Sequence, residues 1–104
     1  MKHLAIFKEQ GAEKILSGQK TIESRFARRR IAPFGLVSSG DLVYIKPSGK
    51  DIIGQFRVKK VIFFDLGQVS HRYVTLIFIG ESTRFITSPI KLKKKDQRGW
   101  VVLR

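Results

Sequence analysis

The sequence contains no cysteine and only two histidines, His3 and His71. The absence of cysteine excludes a disulfide framework, a zinc–thiolate site and a thiol nucleophile. The two histidines are far apart in the chain and neither has the spacing of a metal-ligand pair, so we expect no metal ion and no cofactor. The glycine signatures of P-loop proteins, dinucleotide-binding proteins and hydrolase nucleophile elbows are also missing, which removes those classes.

Long hydrophobic runs are absent as well. The longest apolar-rich stretch, residues 73–79, is far shorter than the roughly 20 residues that cross a bilayer. The apolar run near Met1 is too short for a signal peptide. We therefore expect one domain over residues 1–104, without a membrane segment and located in the cytoplasm.

Acidic residues are scarce: eight Asp and Glu oppose 21 Lys and Arg, which gives a formal net charge of +13. Small soluble domains usually carry a net charge of ~2–8 in magnitude, and self-repulsion above that range disfavours the compact state. A polyanionic partner relieves this repulsion, and nucleic acid is the leading candidate, RNA more than DNA. The alternatives are a solubility adaptation and an adaptor whose basic loops meet an acidic protein.

The pattern of residues 9–26 changes period in the middle. Ala12, Ile15 and Leu16 have helical spacing and predict a helix over Glu9–Ser17 that Gly18 ends. A strand over Thr21–Phe26 follows, in which Thr21, Glu23 and Arg25 share one face. The sequence therefore places several polar groups at a helix–strand junction.

Most of the remaining chain reads as short strands. Residues 52–58 alternate apolar and polar side chains, Lys59-Lys60 breaks the phase and predicts a bulge, and Gly80–Ser82 predicts a turn before a short strand at Arg84–Ile86. Trp100 and the eight phenylalanines are assigned to the core. One helix among several strands predicts an α+β fold, a small and mostly antiparallel β-barrel with one helix packed over an end.

Five segments together carry a resemblance to a known family. They are Gly18-x-Lys20-Thr21-Ile22-Glu23-x-Arg25, Gly40-Asp41-Leu42-Val43-Tyr44-Ile45, Gly54-x-Phe56-x-Val58, Pro89-Ile90 and Arg98-Gly99-Trp100-Val101-Val102-Leu103. In this order they resemble the ASCH family (activating-signal-cointegrator homology) across nearly the whole chain. The resemblance implies a PUA-like fold, in which a cleft between helix and barrel commonly receives a nucleotide or a base.

The candidate binding residues follow from charge, position and this resemblance. Lys20 and Arg25 suit phosphate, and Glu23 suits a base edge. The long connection after the second strand carries three arginines that suit a nucleic-acid backbone. The complete candidate set is Lys20, Thr21, Glu23, Arg25, Arg28, Arg29, Arg30, Tyr44, Lys46, Lys93 and Arg98. Lys93 belongs to a second basic cluster with Lys94 and Lys95.

We therefore expect an RNA- or nucleic-acid-binding module with a nucleotide-sized cleft at residues 18–25 and a basic rim. The alternative is a metal-independent enzyme on RNA or modified nucleosides, in which Lys20 and Glu23 would be catalytic. Small ASCH relatives that hydrolyse acylated cytidine resemble the run Lys20-Thr21-Ile22-x-x-Arg25. This chain departs from them because Glu23 stands where they have threonine, and because the distant glutamate that they need has only Glu81 as a candidate.

Overall fold

One helix and six strands make up the described part of the chain. The structure is a computed structural model and describes residues 1–93 and 98–104. In chain order the elements are β1 (Lys2–Phe7), α1 (Glu9–Leu16), β2 (Ile22–Ala27), β3 (Leu42–Pro47), β4 (Gly54–Asp65), β5 (Tyr73–Arg84) and β6 (Trp100–Leu103). None of the helical structure in these residues is long and apolar enough to cross a membrane.

Helix α1 ends where the glycine predicts. Ala12 and Ile15 are buried on its inner face, and Gly18 takes a φ of +79°, a conformation that glycine adopts at little cost. The backbone N–H of Lys20 then donates to the carbonyl of Lys14 over 2.9 Å. This hydrogen bond folds the chain back against the helix, so that β2 starts beside α1.

The six strands form one curled sheet in the order β2-β5-β4-β3-β1-β6. The expectation of a mostly antiparallel, closed barrel is wrong in two respects. Strands β1 and β3 pair in parallel, because the chain crosses over through α1 and β2 between them. The sheet is an open half-barrel rather than a closed one, since β2 and β6 are its two edges and no described ladder joins them.

Strands β4 and β5 form the longest pair of the sheet. Register shifts after Phe56 and after Val58 confirm the bulge predicted near Lys59-Lys60. The predicted turn at Gly80–Ser82 is wrong, because β5 continues through it to Arg84. Gly80 instead lies opposite the bulge, where an added Cβ would come within 2.9 Å of the Arg57 carbonyl. Glycine in this strand therefore marks a close backbone approach.

The hydrophobic residues pack on both faces of the sheet. The larger cluster lies under α1 and includes Phe7, Ile15, Phe56 and Trp100. A smaller cluster around Leu4, Tyr44 and Ile52 lies on the other face. The prediction that Trp100 belongs to the core is confirmed, since it is 7% exposed.

The prediction that all the phenylalanines are core residues is wrong. Phe7 and Phe56 are buried, but Phe26, Phe63 and Phe64 are exposed. Phe26 lies on the face of edge strand β2 that points away from the core, and Phe63 and Phe64 lie near the end of the long β4–β5 hairpin. Neighbouring described residues cover these positions only in part, as Phe34 does where it packs against Phe63 with ring centroids 5.3 Å apart.

A buried polar network ties three elements together. The indole N–H of Trp100 donates to Nδ1 of His3 over 3.1 Å, and Nε2 of His3 lies 2.8 Å from Oδ2 of Asp41. Because an indole nitrogen can only donate, Nδ1 must accept, and Nε2 must carry the proton and donate a hydrogen bond to Asp41. The network fixes the histidine tautomer and joins β1 and β6 to the start of β3.

Substitution of Gly54 should destabilise the fold. An added Cβ would lie 2.6 Å from the Thr83 carbonyl oxygen and 2.7 Å from Leu16 Cδ2. Overpacking of this kind costs about 1–3 kcal/mol, so Gly54→Ala should lower the urea midpoint. Gly11→Ala is the matched control, because nothing lies within 4 Å of its added Cβ and a helical alanine should raise stability by about 0.5–1 kcal/mol. Equal effects of the two substitutions would contradict this packing account.

The stabilising effect of Asp41 should depend on pH. Burial alone raises the pKa of this carboxyl, but hydrogen bonds from His3, the Ser38 backbone and the Met1 amino group together lower it below its ordinary value of 3.8. A lowered folded-state pKa means that the contribution is complete above the unfolded pKa and is lost as the pH falls below 3.8.

Urea unfolding of Asp41→Asn against the native chain tests this pH dependence. The difference in unfolding free energy should be about 1–3 kcal/mol near neutral pH and should shrink below pH ~4. Glu81→Gln removes an exposed carboxylate and should change stability by less than about 0.5 kcal/mol. A difference for Asp41→Asn that is constant down to pH ~2.5 would rule out the proposed linkage.

Candidate functional site

A cleft of about 790 Å³ lies between α1, the end of β1 and the start of β2. Its lining residues are Ile6, Phe7, Lys8, Glu9, Gln10, Gly11, Lys14, Gln19, Lys20, Glu23 and Arg25. Four of these side chains are basic and two are acidic, so the lining carries an excess of positive charge. The cleft lies beside the helix–strand junction, which is the region where the sequence predicts a site.

Glu23 is the central charged group of this cleft. It lies on the inner face of β2 and is 6% exposed. Its Oε1 accepts from Nζ of Lys20 over 2.7 Å and its Oε2 accepts from Nε of Arg25 over 3.3 Å. A carboxylate has about four acceptor positions, so these two bonds leave capacity for a ligand donor.

Arg25 has structural contacts on the opposite side from Glu23. One terminal nitrogen donates to the Ile6 carbonyl over 2.6 Å and the other donates to the Gly99 carbonyl over 3.3 Å. Ile6 belongs to β1 and Gly99 immediately precedes β6, so the arginine joins edge strand β2 to the opposite edge of the sheet. The open half-barrel is bridged at this point by one side chain rather than by a backbone ladder.

Aromatic rings and burial complete the environment of Arg25. Its guanidinium carbon lies 4.8 Å from the ring centroid of Phe7 and 5.3 Å from that of Trp100, both within cation–π range. Burial lowers the pKa of Arg25, and the adjacent Glu23 carboxylate offsets part of that effect. An arginine side chain remains protonated in proteins, so the charge is fixed in this position.

The other candidates on this side of the molecule are on loops. Thr21 is exposed just before β2, and its carbonyl accepts from the Ile79 N–H over 2.8 Å. Arg28 and Arg29 are exposed after β2. Arg30 contacts Asp65 at 3.9 Å and lies over the Phe34 ring at 5.5 Å, so this part of the loop is attached to the β4–β5 hairpin.

Tyr44, Lys93 and Arg98 lie apart from the cleft at Glu23. All three line another cleft, of about 720 Å³, beside β6. Lys46 is buried, at 4% exposed, and it contributes to neither of these two clefts. Lys94 and Lys95 lie outside the described residues. The predicted candidates are thus distributed over more than one surface.

The sequence analysis missed several residues that line the cleft at Glu23. Lys8, Gly11 and Lys14 come together along one side of α1 because they are spaced by three residues. That spacing was available as a signal in the sequence. Within the described residues no group of three or more His, Asp or Glu is arranged to hold a metal ion.

The structure does not place Glu81, the candidate for the second glutamate of an acylated-cytidine hydrolase, in the cleft at Glu23. Glu81 is an exposed residue of strand β5 and is not among the residues that line the cleft. The second glutamate of the cleft is Glu9, which pairs with Lys50. Lys20 forms its ion pair with Glu23, at 2.7 Å, rather than with either of these two glutamates.

Comparison with solved structures identifies the fold. A serine-to-alanine mutant of the ASCH protein ZmASCH from Zymomonas mobilis aligns with a TM-score of 0.72 and 16% identity, over 99% of this chain and 88% of that one. A tyrosine-to-phenylalanine mutant of the same protein aligns with a TM-score of 0.64 and 18% identity, over 99% and 90%. The ASCH structure without a named mutation gives 0.62 and 17%, over 80% and 69%.

No protein-family model matches the chain, and no curated protein matches it by sequence. The structural likeness nevertheless covers almost the full chain. The chain has the fold of an ASCH domain, as the ordered segments of the sequence predict.

The bridging role of Arg25 predicts a large stability effect. A lysine offers one ammonium group and cannot reach the Ile6 carbonyl, the Gly99 carbonyl and Glu23 in the same geometry. Arg25→Lys should therefore lower the free energy of unfolding by about 1–3 kcal/mol in urea titrations. Arg57→Lys is the matched control, because Arg57 also donates to a backbone carbonyl, that of Gly40, but is exposed. A cost for Arg25→Lys no larger than that of the control would show that the bridge contributes little.

Proposed function

We propose that this protein is a nucleic-acid-binding module, with RNA as the preferred partner, that receives a nucleotide in the cleft at Glu23. The observation that carries the proposal is the composition of that cleft: a buried carboxylate held between two cations, within a lining in which basic groups outnumber acidic ones. A site of this kind offers one acceptor for a base edge and several donors for phosphate.

The distribution of ion pairs supports a polyanionic ligand. Glu9, Glu13, Glu23 and Asp65 each already contact a lysine or an arginine. Even all eight carboxylates of the chain together could neutralise only a minority of its 21 basic residues. Exposed basic residues such as Arg28, Arg29 and Lys59 face solvent and counterions. Release of those counterions is the main source of affinity for phosphate backbones.

The roles of the cleft residues follow from their contacts. Glu23 is held in place and presents carboxylate oxygens, which accept from an exocyclic amino group such as that of cytosine. Lys20 keeps two N–H donors beyond its bond to Glu23 and suits a phosphate. Arg28 and Arg29, which are exposed on the loop after β2, supply a basic rim. The ASCH fold is consistent with this class of function.

An enzyme acting on RNA or on a modified nucleoside is the second candidate. The contact that favours it is the 2.7 Å bond between the Lys20 ammonium and the Glu23 carboxylate, a pair with the geometry for proton transfer inside a cleft. In that case Lys20 and Glu23 would be catalytic. Loss of hydrolysis in Lys20→Gln, with unchanged stability and unchanged RNA affinity, would select the enzyme over the binding module.

Binding to short single-stranded and double-stranded RNA across a salt series tests the proposal. Fluorescence anisotropy should show affinity that falls linearly on a log–log plot against salt from 50 to 200 mM, as counterion release requires. Replacement of Arg28 and Arg29 together by Gln should reduce the magnitude of the slope for a single strand by about 0.7 for each lost phosphate contact.

A matched pair of lysine variants distinguishes binding in the cleft at Glu23 from non-specific attraction by the net positive charge. Lys20→Gln and Lys59→Gln each remove one positive charge, but Lys59 lies in β4 and lines none of the clefts beside β2 or β6. Lys20→Gln should weaken binding about 5-fold or more near physiological salt, and Lys59→Gln should weaken it less than 2-fold. Equal losses would mean that the charge is only a non-specific field, and the proposal would fail.

A further inference from the structure

Strand β2 borders a further, smaller cleft, called the second cleft below, at the end of the strand far from α1. Its volume is about 400 Å³, within the usual range of small-ligand pockets of about 300–1,000 Å³. Its lining residues are Arg25, Phe26, Ala27, Ile31, Ala32, Pro33, Phe34, Tyr73, Thr75, Arg98, Gly99 and Trp100. Four of these are aromatic and two are arginines.

Phe26 is the most exposed aromatic side chain of this cleft, at 62%. A single exposed apolar residue needs no special explanation. This one, however, stands beside three other rings in a concavity, and the neighbouring Ile31 is 57% exposed. The Phe26 ring therefore exposes an apolar face to solvent inside a cleft whose other walls are formed by neighbouring side chains.

The other aromatic rings of the cleft are held rigidly. Phe34 packs edge-on against Tyr73 with centroids 5.0 Å apart, and against Phe63 at 5.3 Å. The Arg30 guanidinium lies over both Phe34 and Tyr73. Trp100 is fixed by its hydrogen bond to His3. Rigid aromatic walls next to cations are the components of base-stacking sites in single-strand-binding proteins.

We propose that this second cleft is a base-stacking subsite for a single-stranded nucleic acid. The inference rests on the proposed function, and it adds a second contact point for the same nucleic-acid ligand. A base stacks on Phe26, and the flanking phosphates meet Arg98, which lines the cleft, and Arg28 and Arg29, which are exposed directly after the lining residue Ala27. Stacking is tolerant of sequence because every base has an aromatic face.

The two clefts share Arg25, which lines both. Its guanidinium is bound to the Ile6 and Gly99 carbonyls, so it forms a fixed wall between them. A single strand with one nucleotide at Glu23 therefore passes Arg25 to place a neighbouring base against Phe26. The ligand of this surface is a strand rather than an isolated nucleotide.

Charge favours nucleic acid over a protein at this surface. Two copies of the chain would bring net charges of +13 together, and that repulsion opposes self-association through an arginine-rimmed patch. Asp65 lies near this loop, but it already contacts Arg30 at 3.9 Å. The second cleft thus exposes an aromatic ring, that of Phe26, beside the positively charged Arg98.

Substitutions at Phe26 separate stacking from simple apolar contact. Phe26→Leu keeps an apolar side chain without an aromatic face, whereas Phe26→Tyr keeps the ring. Loss of one stacked base should weaken binding of a labelled single-stranded 12-nucleotide RNA about 5- to 150-fold for Phe26→Leu, and less than 3-fold for Phe26→Tyr. The salt slope should stay unchanged in both, because no charge is removed.

Ile22→Ala is the matched control, since Ile22 is an exposed apolar residue of the same strand face, at 42%, and does not line the second cleft. It should bind like the native chain. If the native chain binds RNA and Phe26→Leu binds equally well, the subsite is excluded while the proposed function stands. If the native chain binds no RNA, both proposals fall. A loss in Phe26→Leu that accompanies a change of oligomeric state in light scattering also excludes the subsite.

Discussion

The relation between the two edges of the sheet and the clefts depends on the contacts of one partly buried guanidinium. Arg25 joins edge strand β2 to the carbonyls of Ile6 in β1 and of Gly99 just before β6, the opposite edge strand. A cation removed from water at this point is costly unless it is paired. Glu23 supplies the pairing charge from the same strand face, and Lys20 in turn contacts the second oxygen of Glu23. The charged centre of the candidate site is therefore also part of what keeps the half-barrel in shape.

A second constraint acts through Trp100. Its indole N–H can act only as a hydrogen-bond donor. His3 must therefore accept at Nδ1 and donate from Nε2 to Asp41. This chain of bonds holds the short strand β6 against β1 and against the start of β3. Trp100 also forms a wall of the second cleft and lies under the Arg25 guanidinium. The two polar networks meet at this ring, so the geometry of the two clefts beside β2 is set partly by these inner contacts and not by the loops alone.

Local signals in the sequence were sufficient for elements whose form depends on neighbouring residues. Alternation from Ile52 to Val58, the glycine stop at Gly18 and the phase break at Lys59-Lys60 each describe a short-range backbone preference, and the structure confirms them. Closure of the sheet was not predictable in this way, because it depends on whether β2 and β6, distant in sequence, pair with each other. Strand direction was also hidden, since a period of two is the same for parallel and antiparallel pairing.

Prediction of the candidate site was limited in the same way: contacts between residues close in sequence were predictable, and contacts between distant residues were not. Lys20, Glu23 and Arg25 lie within six residues, so their proximity was predictable, whereas the contacts of Arg25 with Ile6 and Gly99 come from residues 19 and 74 positions away. Apolar pattern alone could not show that Phe26 faces solvent, because the pattern gives a face and not what covers it. The distribution of charge is relevant to function. Four of the acidic side chains pair with a lysine or an arginine, while the exposed residues Arg98 and Phe26 line the second cleft. Exposed positive charge thus lies next to shaped concavities, and this arrangement is the physical basis on which a nucleic-acid ligand is proposed.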